Sequence, residues 1–396
     1  MTAVTKGDWD DEIEALQPAL REIRHDIHQH PELGFAERRT RDLVIEFLGR
    51  HGYQPRTLAE TGVVADLHPD RVGQATTIAL RADLDCLPMP ETTDLPYRSV
   101  HDGCAHKCGH DGHTTSLLGV ASILAQHRDD VAGNVRLVFQ PDEEGTSGGG
   151  AEVMIRDGAL EHVDEIYGLH NWPPLPRGRV AVKAGPMMAH VHQIHLVVRG
   201  LGGHASEPQR CRDPIVAASH MVAALQTVVS RGLGYAGGAV VSITKFVSGT
   251  TTNVIPGHAE LAGTIRSFLP EDTARVLERV REVVDGHAKA FGVTAELELK
   301  EGYPVVMNDP RCADAVERVA SQVVGPQNVT KAGLPIAAAE DFAFFGRHVP
   351  AAYFLVGAGE AGGSPTCHHP DFDFNDAILP TCMSMFLGLV RDRLAQ

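Results

Sequence analysis

The run Cys108-Gly109-His110-Asp111-Gly112-His113 gathers a thiol, two imidazoles and a carboxyl within one short stretch. Cys108 and His110 stand two apart, a spacing that puts both side chains on one side of an extended backbone. A thiolate beside an imidazole is a donor pair for zinc or a related transition ion. The same run also reads as a glycine-punctuated loop ahead of a helix, with its polar residues as caps. A second cluster, Asp142-Glu143-Glu144, lies between the apolar run Val135 to Gln140 and the turn Gly148-Gly149-Gly150. Adjacent acids repel, and a divalent cation would offset that repulsion. Neighbouring side chains diverge in extended backbone, so one glutamate can hold metal while the other faces substrate. His170 follows the run Glu165 to Leu169, and His368-His369 precedes Pro370, a weak signal by itself. Asp83 and Asp85 either point at one site from the end of a strand or cap a turn before Pro88. Taken together, the clusters read as a two-metal hydrolytic centre.

The elements that must position them follow from periodicity. Ile13, Leu16, Leu20, Ile23 and Ile27 mark a first helix that ends before Pro31, and Glu37 to Gly49 a second. Strands are expected at Val63 to Leu67, Thr77 to Ala82, Val135 to Gln140, Glu165 to Leu169 and Tyr353 to Val356. Helices are expected from Thr114 to Gln126, after Asp309-Pro310, and from Asp376 to Arg393. Strands alternating with helices, with polar clusters at the strands' carboxyl ends, predict an open α/β sheet with its site along that edge. Between about Met188 and Lys300 the order becomes strand, helix, strand, strand, helix, strand. That order is the ferredoxin-like split βαβ arrangement. The expectation is therefore two domains, residues 1–187 with 301–396 and an inserted 188–300. The insert carries Gly202-Gly203-His204, Asn253-Val254-Ile255-Pro256 and Arg266, the last on a strand face opposite Leu261 and Ile265. A histidine in a glycine turn is commonly only a turn residue.

Composition narrows the classes. A chain of 396 residues with 43% hydrophobic content suits two domains with sizeable cores. A net charge of −16 argues against nucleic acid or an anionic membrane surface as partner. Seven cysteines without a Cys-x-x-Cys pair argue against a disulfide framework and for a reducing compartment. Met1 to Asp11 lacks a signal pattern, and no apolar run is long enough to span a membrane. The expected location is the cytoplasm.

Ten stretches occur in order nearly end to end: Arg24-His25-Asp26-Ile27-His28-Gln29-His30-Pro31-Glu32, Arg81-Ala82-Asp83-Leu84-Asp85, the Cys108 hexapeptide, Phe139-Gln140-Pro141 with Glu143-Glu144-Gly145, Gly168-Leu169-His170-Asn171, Gly203-His204-Ala205-Ser206, Asn253-Val254-Ile255-Pro256, Gly263-Thr264-Ile265-Arg266, Ala339-Glu340-Asp341-Phe342 and His368-His369-Pro370. In them the chain resembles the metal-dependent amidohydrolase family of hippurate hydrolase, N-acyl-amino-acid amidohydrolases and auxin-conjugate hydrolases, relatives of aminoacylase and glutamate carboxypeptidase. The resemblance implies an aminopeptidase-like α/β catalytic domain with an inserted ferredoxin-like α+β domain that serves as lid and dimer contact. It implies that Cys108, His110, Glu144, His170 and His368 ligate two divalent metals, with Cys108 between them. Glu143 would be the catalytic base, and Asp83 and Asp85 would orient ligands from behind. His204, Asn253 and Arg266 would bind substrate, His204 reaching the site of a partner subunit. Of the two histidines before Pro370, His368 matches the ligand position.

Two positions depart from the family pattern. Asp142 replaces a small residue and would alter local charge or point into solvent, and Lys107 replaces an alanine and would favour the Cys108 thiolate. The implied reaction is hydrolysis of N-acyl-L-amino acids, small-molecule substrates, by a homodimer or, second, a tetramer. A divalent cation lowers the pKa of a water it binds towards ~7, and Glu143 would move the proton. Zinc or manganese heads the candidate metals, with nickel and cobalt behind. The alternative activity is a dipeptidase or carboxypeptidase of the same fold. A binding-only protein fits less well, because structural zinc sites are closed sets of Cys and His.

Overall fold

The sheet forms where the sequence offers apolar runs that can be buried on both faces. The structure, a computed structural model, describes residues 9–145, 148–234 and 238–394. Residues 1–8, part of the stretch without a signal pattern, lie outside the described residues. The chain first runs α1 (Asp10–Gln29), α2 (Arg38–Arg50), β1 (Arg56–Leu58), β2 (Gly62–Asp66), β3 (Thr77–Asp83), α3 (His110–Gln126), β4 (Asn134–Gln140), α4 (Ala151–Arg156), β5 (Glu165–Pro176), β6 (Val180–Ala181) and β7 (Gly185–Met188). It continues with β8 (His190–Arg199), β9 (Gly203–His204), α5 (Pro214–Ser230), β10 (Ala239–Ser248), β11 (Val254–Ile255), β12 (His258–Ser267), α6 (Pro270–Phe291) and β13 (Thr294–Glu301). It closes with β14 (Val306–Asn308), α7 (Pro310–Val323), β15 (Val329–Thr330), β16 (Ala351–Gly359) and α8 (Leu379–Leu394). Contacts divide it into two compact units: Met1–Met187 with Met307–Leu334 and Asp341–Gln396, and Met188–Val306 with Pro335–Glu340. No described helix is long and apolar enough to cross a membrane.

The first unit is an α/β domain. Its sheet has the order β1-β2-β4-β3-β5-β16-β6-β15, and β4, β3, β5 and β16 run parallel at its centre. Every residue of β3 and β4 is buried. β5 outruns its neighbour: its pairing with β3 ends at Arg81↔Gly168, so His170 and Asn171 project past that contact while still paired to β16. The second unit has a four-stranded antiparallel sheet in the order β10-β12-β8-β13. Ile194, Leu196 and Val198 of β8 and Leu261 and Ile265 of β12 bury one face with Met221 and Leu225 of α5 and Val280 and Val284 of α6. The strand order is that of the split βαβ fold.

The largest departure from the sequence reading is α3. It begins at His110, four residues earlier than the Thr114 expected from the pattern. Gly109 takes the left-handed conformation at φ +103 and turns the chain into the helix, so Cys108 and His110 do not share an extended strand. From His110 to Leu124 every residue is buried, between β3 and the helices α1 and α8. Asp111 suits the first turn, where a negative charge meets the positive end of the helix.

Gly109→Ala should therefore cost more than the ~1 kcal/mol of an ordinary helix-breaking change. A Cβ there would meet Asn171 Oδ1 at 2.2 Å on top of the positive φ. Gly49→Ala, in open space on α2, should be neutral or gain up to ~1 kcal/mol. Urea unfolding of the two variants separates these outcomes.

Candidate metal centre

Two histidines have their tautomers fixed by carbonyl oxygens. His110 Nδ1 lies 2.9 Å from the Asp85 carbonyl, and His170 Nδ1 lies 2.6 Å from the Asn171 carbonyl. A carbonyl only accepts, so each Nδ1 carries a proton and each Nε2 is the nitrogen turned to the cluster. Burial lowers the His110 pKa, but Asp83, Asp85 and Glu144 raise it well above its ordinary value, so a cation at its Nε2 would displace a proton. His170 Nε2 faces Cys108 Sγ at 3.3 Å. Burial and the neighbouring His113 push the His170 imidazole down to about 4, so it is neutral at pH 7. His110 Nε2 is buried and has no hydrogen-bond partner among the described residues; Glu143 Oε2 is 3.7 Å away and Asp83 Oδ2 3.8 Å.

The ligand atoms converge in overlapping sets. One atom each from Cys108, His110 and His170 lies within 4.8 Å of the others, and the same holds for Cys108, Glu144 and His368, and for His110, Glu143 and Glu144. Cys108 is the member shared by the first two sets. Its thiol is held well above its ordinary pKa by Cys367, by burial and by the Glu144 and Glu143 carboxylates. A divalent cation reverses that balance, because a coordinated thiol deprotonates. A buried imidazole nitrogen without a hydrogen-bond partner among the described residues, a buried thiol and two carboxylates within reach are thus, once the imidazole and thiol give up their protons, a donor set that fits transition-metal cations. Asp83, His110 and His113 form another close set. There, however, Asp83 already accepts from His113 Nδ1 at 2.7 Å and from Arg81 at 2.6 Å.

The strand ends position these atoms. Asp85 accepts the backbone N–H of Glu143 and of Glu144, both at 3.0 Å, while its carbonyl orients His110. Asp83 and Asp85 therefore hold side chains and backbone of the cluster rather than capping a turn before Pro88. Buried Arg81 donates to Gln140 at 2.8 Å, to Asp83 at 2.6 Å and to Asp341 at 3.1 Å, tying the ends of β3 and β4 together. His368 has φ +66 and its N–H donates to the Lys107 carbonyl at 2.7 Å, which fixes its loop beside Cys108. Its Nε2 is 3.2 Å from Glu144 Oε1, whereas His369 Nδ1 accepts from the Asp371 N–H at 3.1 Å.

Three sequence expectations need correction. Glu143 and Glu144 occupy a turn instead of extended backbone, and one oxygen of each reaches the same set as His110. Asp142 does not point into solvent: it is buried at φ +49, its carboxylate accepts the Gly149 N–H at 2.8 Å, and its own N–H donates to Glu37 at 2.9 Å. Lys107 does not serve Cys108: its ammonium donates to Glu91 and to the Phe372 carbonyl, both at 2.7 Å.

A buried network behind the cluster was not singled out by the sequence. Asp111 accepts from His28 Nδ1 at 2.7 Å and forms an ion pair with Arg24, whose Nε lies 3.1 Å away, and His28 Nε2 lies 3.2 Å from Glu91. Arg24 also pairs with Asp373 and stacks over Tyr97. Arg24, His28 and Asp111 stand in stretches that carry the resemblance without a role being read for them; the signal of a network is that Arg24 and His28 fall on the buried stripe of α1 with Leu20 and Ile27. Cys367, beside Cys108, was likewise passed over.

In the second unit His204 on β9 and Asn253 beside β11 come together: Val254 pairs with His204, and the Ala205 N–H donates to the Asn253 carbonyl at 3.1 Å. Both side chains are exposed. Arg266 is half-buried and donates to the Ala337 carbonyl at 2.6 Å.

Comparison with known proteins matches residues 79–392 to the model of peptidase family M20/M25/M40. The chain is similar to an N-acetylcysteine deacetylase of Bacillus subtilis, 38% identical over 95% of this chain and 97% of that protein. It is equally similar to a hippurate hydrolase of Campylobacter jejuni, 38% identical over 96% and 97%. Among solved structures it superposes on a dinuclear metal-binding M20 peptidase of Bacillus subtilis with a TM-score of 0.82, 34% identity and coverage of 96% and 99%.

Asp111→Asn tests the network. It leaves the Arg24 guanidinium short of a buried partner, and the expected loss is about 3–5 kcal/mol of folding free energy. Denaturant unfolding at neutral pH reads it; a loss under ~1 kcal/mol would mean that Asp111 is not paired as described.

Proposed function

The chain belongs to peptidase family M20/M25/M40 and is an amide-bond hydrolase, and from that premise we propose that it cleaves N-acyl-L-amino acids to a carboxylic acid and a free amino acid. The observation that carries the reading is the pair of Nε2 atoms, on His110 and His170, that the carbonyl-bound Nδ1 atoms turn towards a cluster with Cys108, Glu143, Glu144 and His368. In this proposal Cys108, His110, Glu144, His170 and His368 hold two divalent cations, zinc or manganese, with Cys108 shared. Bound there, the cations supply charge that polarises the amide carbonyl and acidifies water towards ~7.

The chain's own residues do the rest. Glu143, 6% exposed, takes the proton of the attacking water and returns it to the departing nitrogen. Asp85 holds both glutamates through their backbone N–H groups, which keeps the base at a fixed distance from the ligands. Asp83 orients His113, and its carboxylate faces the His110 ring. His204, Asn253 and Arg266 bind substrate in this reading, Arg266 or Asn253 at the carboxylate of the amino-acid half. We assign the segment of about 188–300, which falls within the second unit, to a lid that also makes a homodimer contact, and the protein to the cytoplasm.

Two experiments test the proposal. Activity on N-acetyl- and N-benzoyl-amino acids should vanish in excess chelator and return with zinc or manganese. Dipeptides offered in the same panel should be cut more slowly, and faster cleavage of dipeptides would replace the acyl-amino-acid reading with a dipeptidase.

Glu143→Gln keeps the size of the side chain but cannot accept the proton. Its kcat should fall by ~10²–10⁴ with metal content near that of the unaltered protein. Glu144→Gln should instead lose metal and recover part of its activity at high metal concentration. Metal analysis on the same preparations decides, and the opposite pattern would exchange the two roles.

A further inference from the structure

Two cysteines that take no part in this chemistry lie against each other. Cys86 follows Asp85 directly, and Cys104 lies upstream of Cys108 on the segment that leads into it. Their Sγ atoms are 2.8 Å apart, and both are free thiols. The flanking backbone is already paired: the Leu87 N–H donates to the Ala105 carbonyl and the Ala105 N–H to the Leu87 carbonyl, each at 3.1 Å. A disulfide bond is ~2.05 Å long, so closure needs the sulfurs to move together by less than ~1 Å. The two thiols are unequal. Cys86 is buried and Cys104 is partly exposed. The contact with Cys86 lowers the pKa of Cys104, while burial raises that of Cys86. An accessible thiol with thiolate character beside a buried partner is the arrangement of an attacking and a resolving cysteine.

We propose that Cys86 and Cys104 are a reversible modification site, closing to an intramolecular disulfide by exchange with a small disulfide such as oxidised glutathione. The Cys104 thiolate attacks one sulfur of the small disulfide, forms a mixed disulfide and releases one thiolate, which takes up a proton. Cys86 gives up its proton, attacks the Cys104 sulfur and releases the second small thiol. Two protein thiols are oxidised, and one small disulfide is reduced to two thiols. The closed bond ties the Asp85 segment to the segment that enters Cys108. Asp85 holds the Glu143 and Glu144 backbone and the His110 ring, so the bond removes freedom from the chain on both sides of the cluster without displacing it. This inference concerns the thiols alone and does not depend on the substrate proposed above.

The test uses the full-length, metal-loaded protein, incubated with oxidised glutathione, then unfolded with an alkylating reagent and digested with trypsin. Cys86 falls in the peptide Ala82 to Arg98 and Cys104 in Ser99 to Lys107, so their linkage is unambiguous. The expected result is that linked pair, lost on treatment with dithiothreitol, and a Tm roughly 5 °C or more above that of the reduced protein. Cys86→Ser should keep one glutathione on Cys104. Neither Cys86→Ser nor Cys104→Ser should show the rise in Tm, and both should match the unaltered protein in activity when reduced. Alkylation of both thiols after oxidation, a link between Cys108 and Cys367 instead, or a Tm rise retained in the single variants would each overturn the proposal.

Discussion

The structure depends on the cost of burying negative charge at the carboxyl edge of one sheet. Asp83, Asp85, Asp111, Asp142, Glu143 and Asp341 are all buried there, and ionised carboxylates withdrawn from water are tolerated only with compensation. Part of it is built into the chain. Arg81 reaches Gln140, Asp83 and Asp341, and Arg24 reaches Asp111, Asp373 and Asp376. Backbone N–H groups serve Asp85, and the Gly149 N–H serves Asp142. Where compensation runs short the acids resist ionising: burial and nearby Asp85 push the Glu37 carboxyl up to about 7. Around Cys108 the described residues supply a thiol, carboxylates and the imidazoles of His110 and His368, whose pKa values the carboxylates raise, while Lys107 is turned to Glu91 and the Phe372 carbonyl. Bound cations would supply positive charge in place of the imidazole protons.

Each element of the first unit can be understood as serving that edge. β3 and β4 are buried on both faces, so their ends are fixed by packing and by Arg81. The extra length of β5 carries His170 and Asn171 to the same level. α3 is pinned from behind by the network of Arg24 and His28 and from below by Gly109, whose positive φ no side chain would accept at little cost. A site so supported is held from several sides, as the general-base chemistry proposed for Glu143 would require.

Much of this was legible in the sequence. Unbroken apolar runs marked the central strands, and the switch to the order strand, helix, strand, strand, helix, strand marked the second sheet. The residues singled out at Cys108, His110, Glu143, Glu144, His170 and His368 do share close ligand atoms. The start of α3 was not legible, because a helix buried on every side has no polar face and its first turn, His110 to His113, is polar throughout. Asp142 was misjudged for a similar reason: its burial depends on the Glu37 carboxylate and the Gly149 N–H, contacts between distant or turn residues that no local pattern encodes. Arg24 stood in a resembling stretch, but its role was not legible, since a charge on an apolar stripe breaks the pattern instead of announcing a partner far along the chain at Asp111 or Asp373.

The central claim is that one thiolate, Cys108, is shared by two cations. Anomalous diffraction at the absorption edge of the bound metal, from crystals of the metal-loaded protein, tests it most directly. The account predicts two peaks per chain, with Cys108 Sγ at bonding distance, ~2.3–2.5 Å, from both, His110 and His170 Nε2 among the nearest atoms, and Glu144 and His368 completing the set. A single peak, or peaks centred on Asp83 and His113 with Cys108 outside bonding distance, would contradict it.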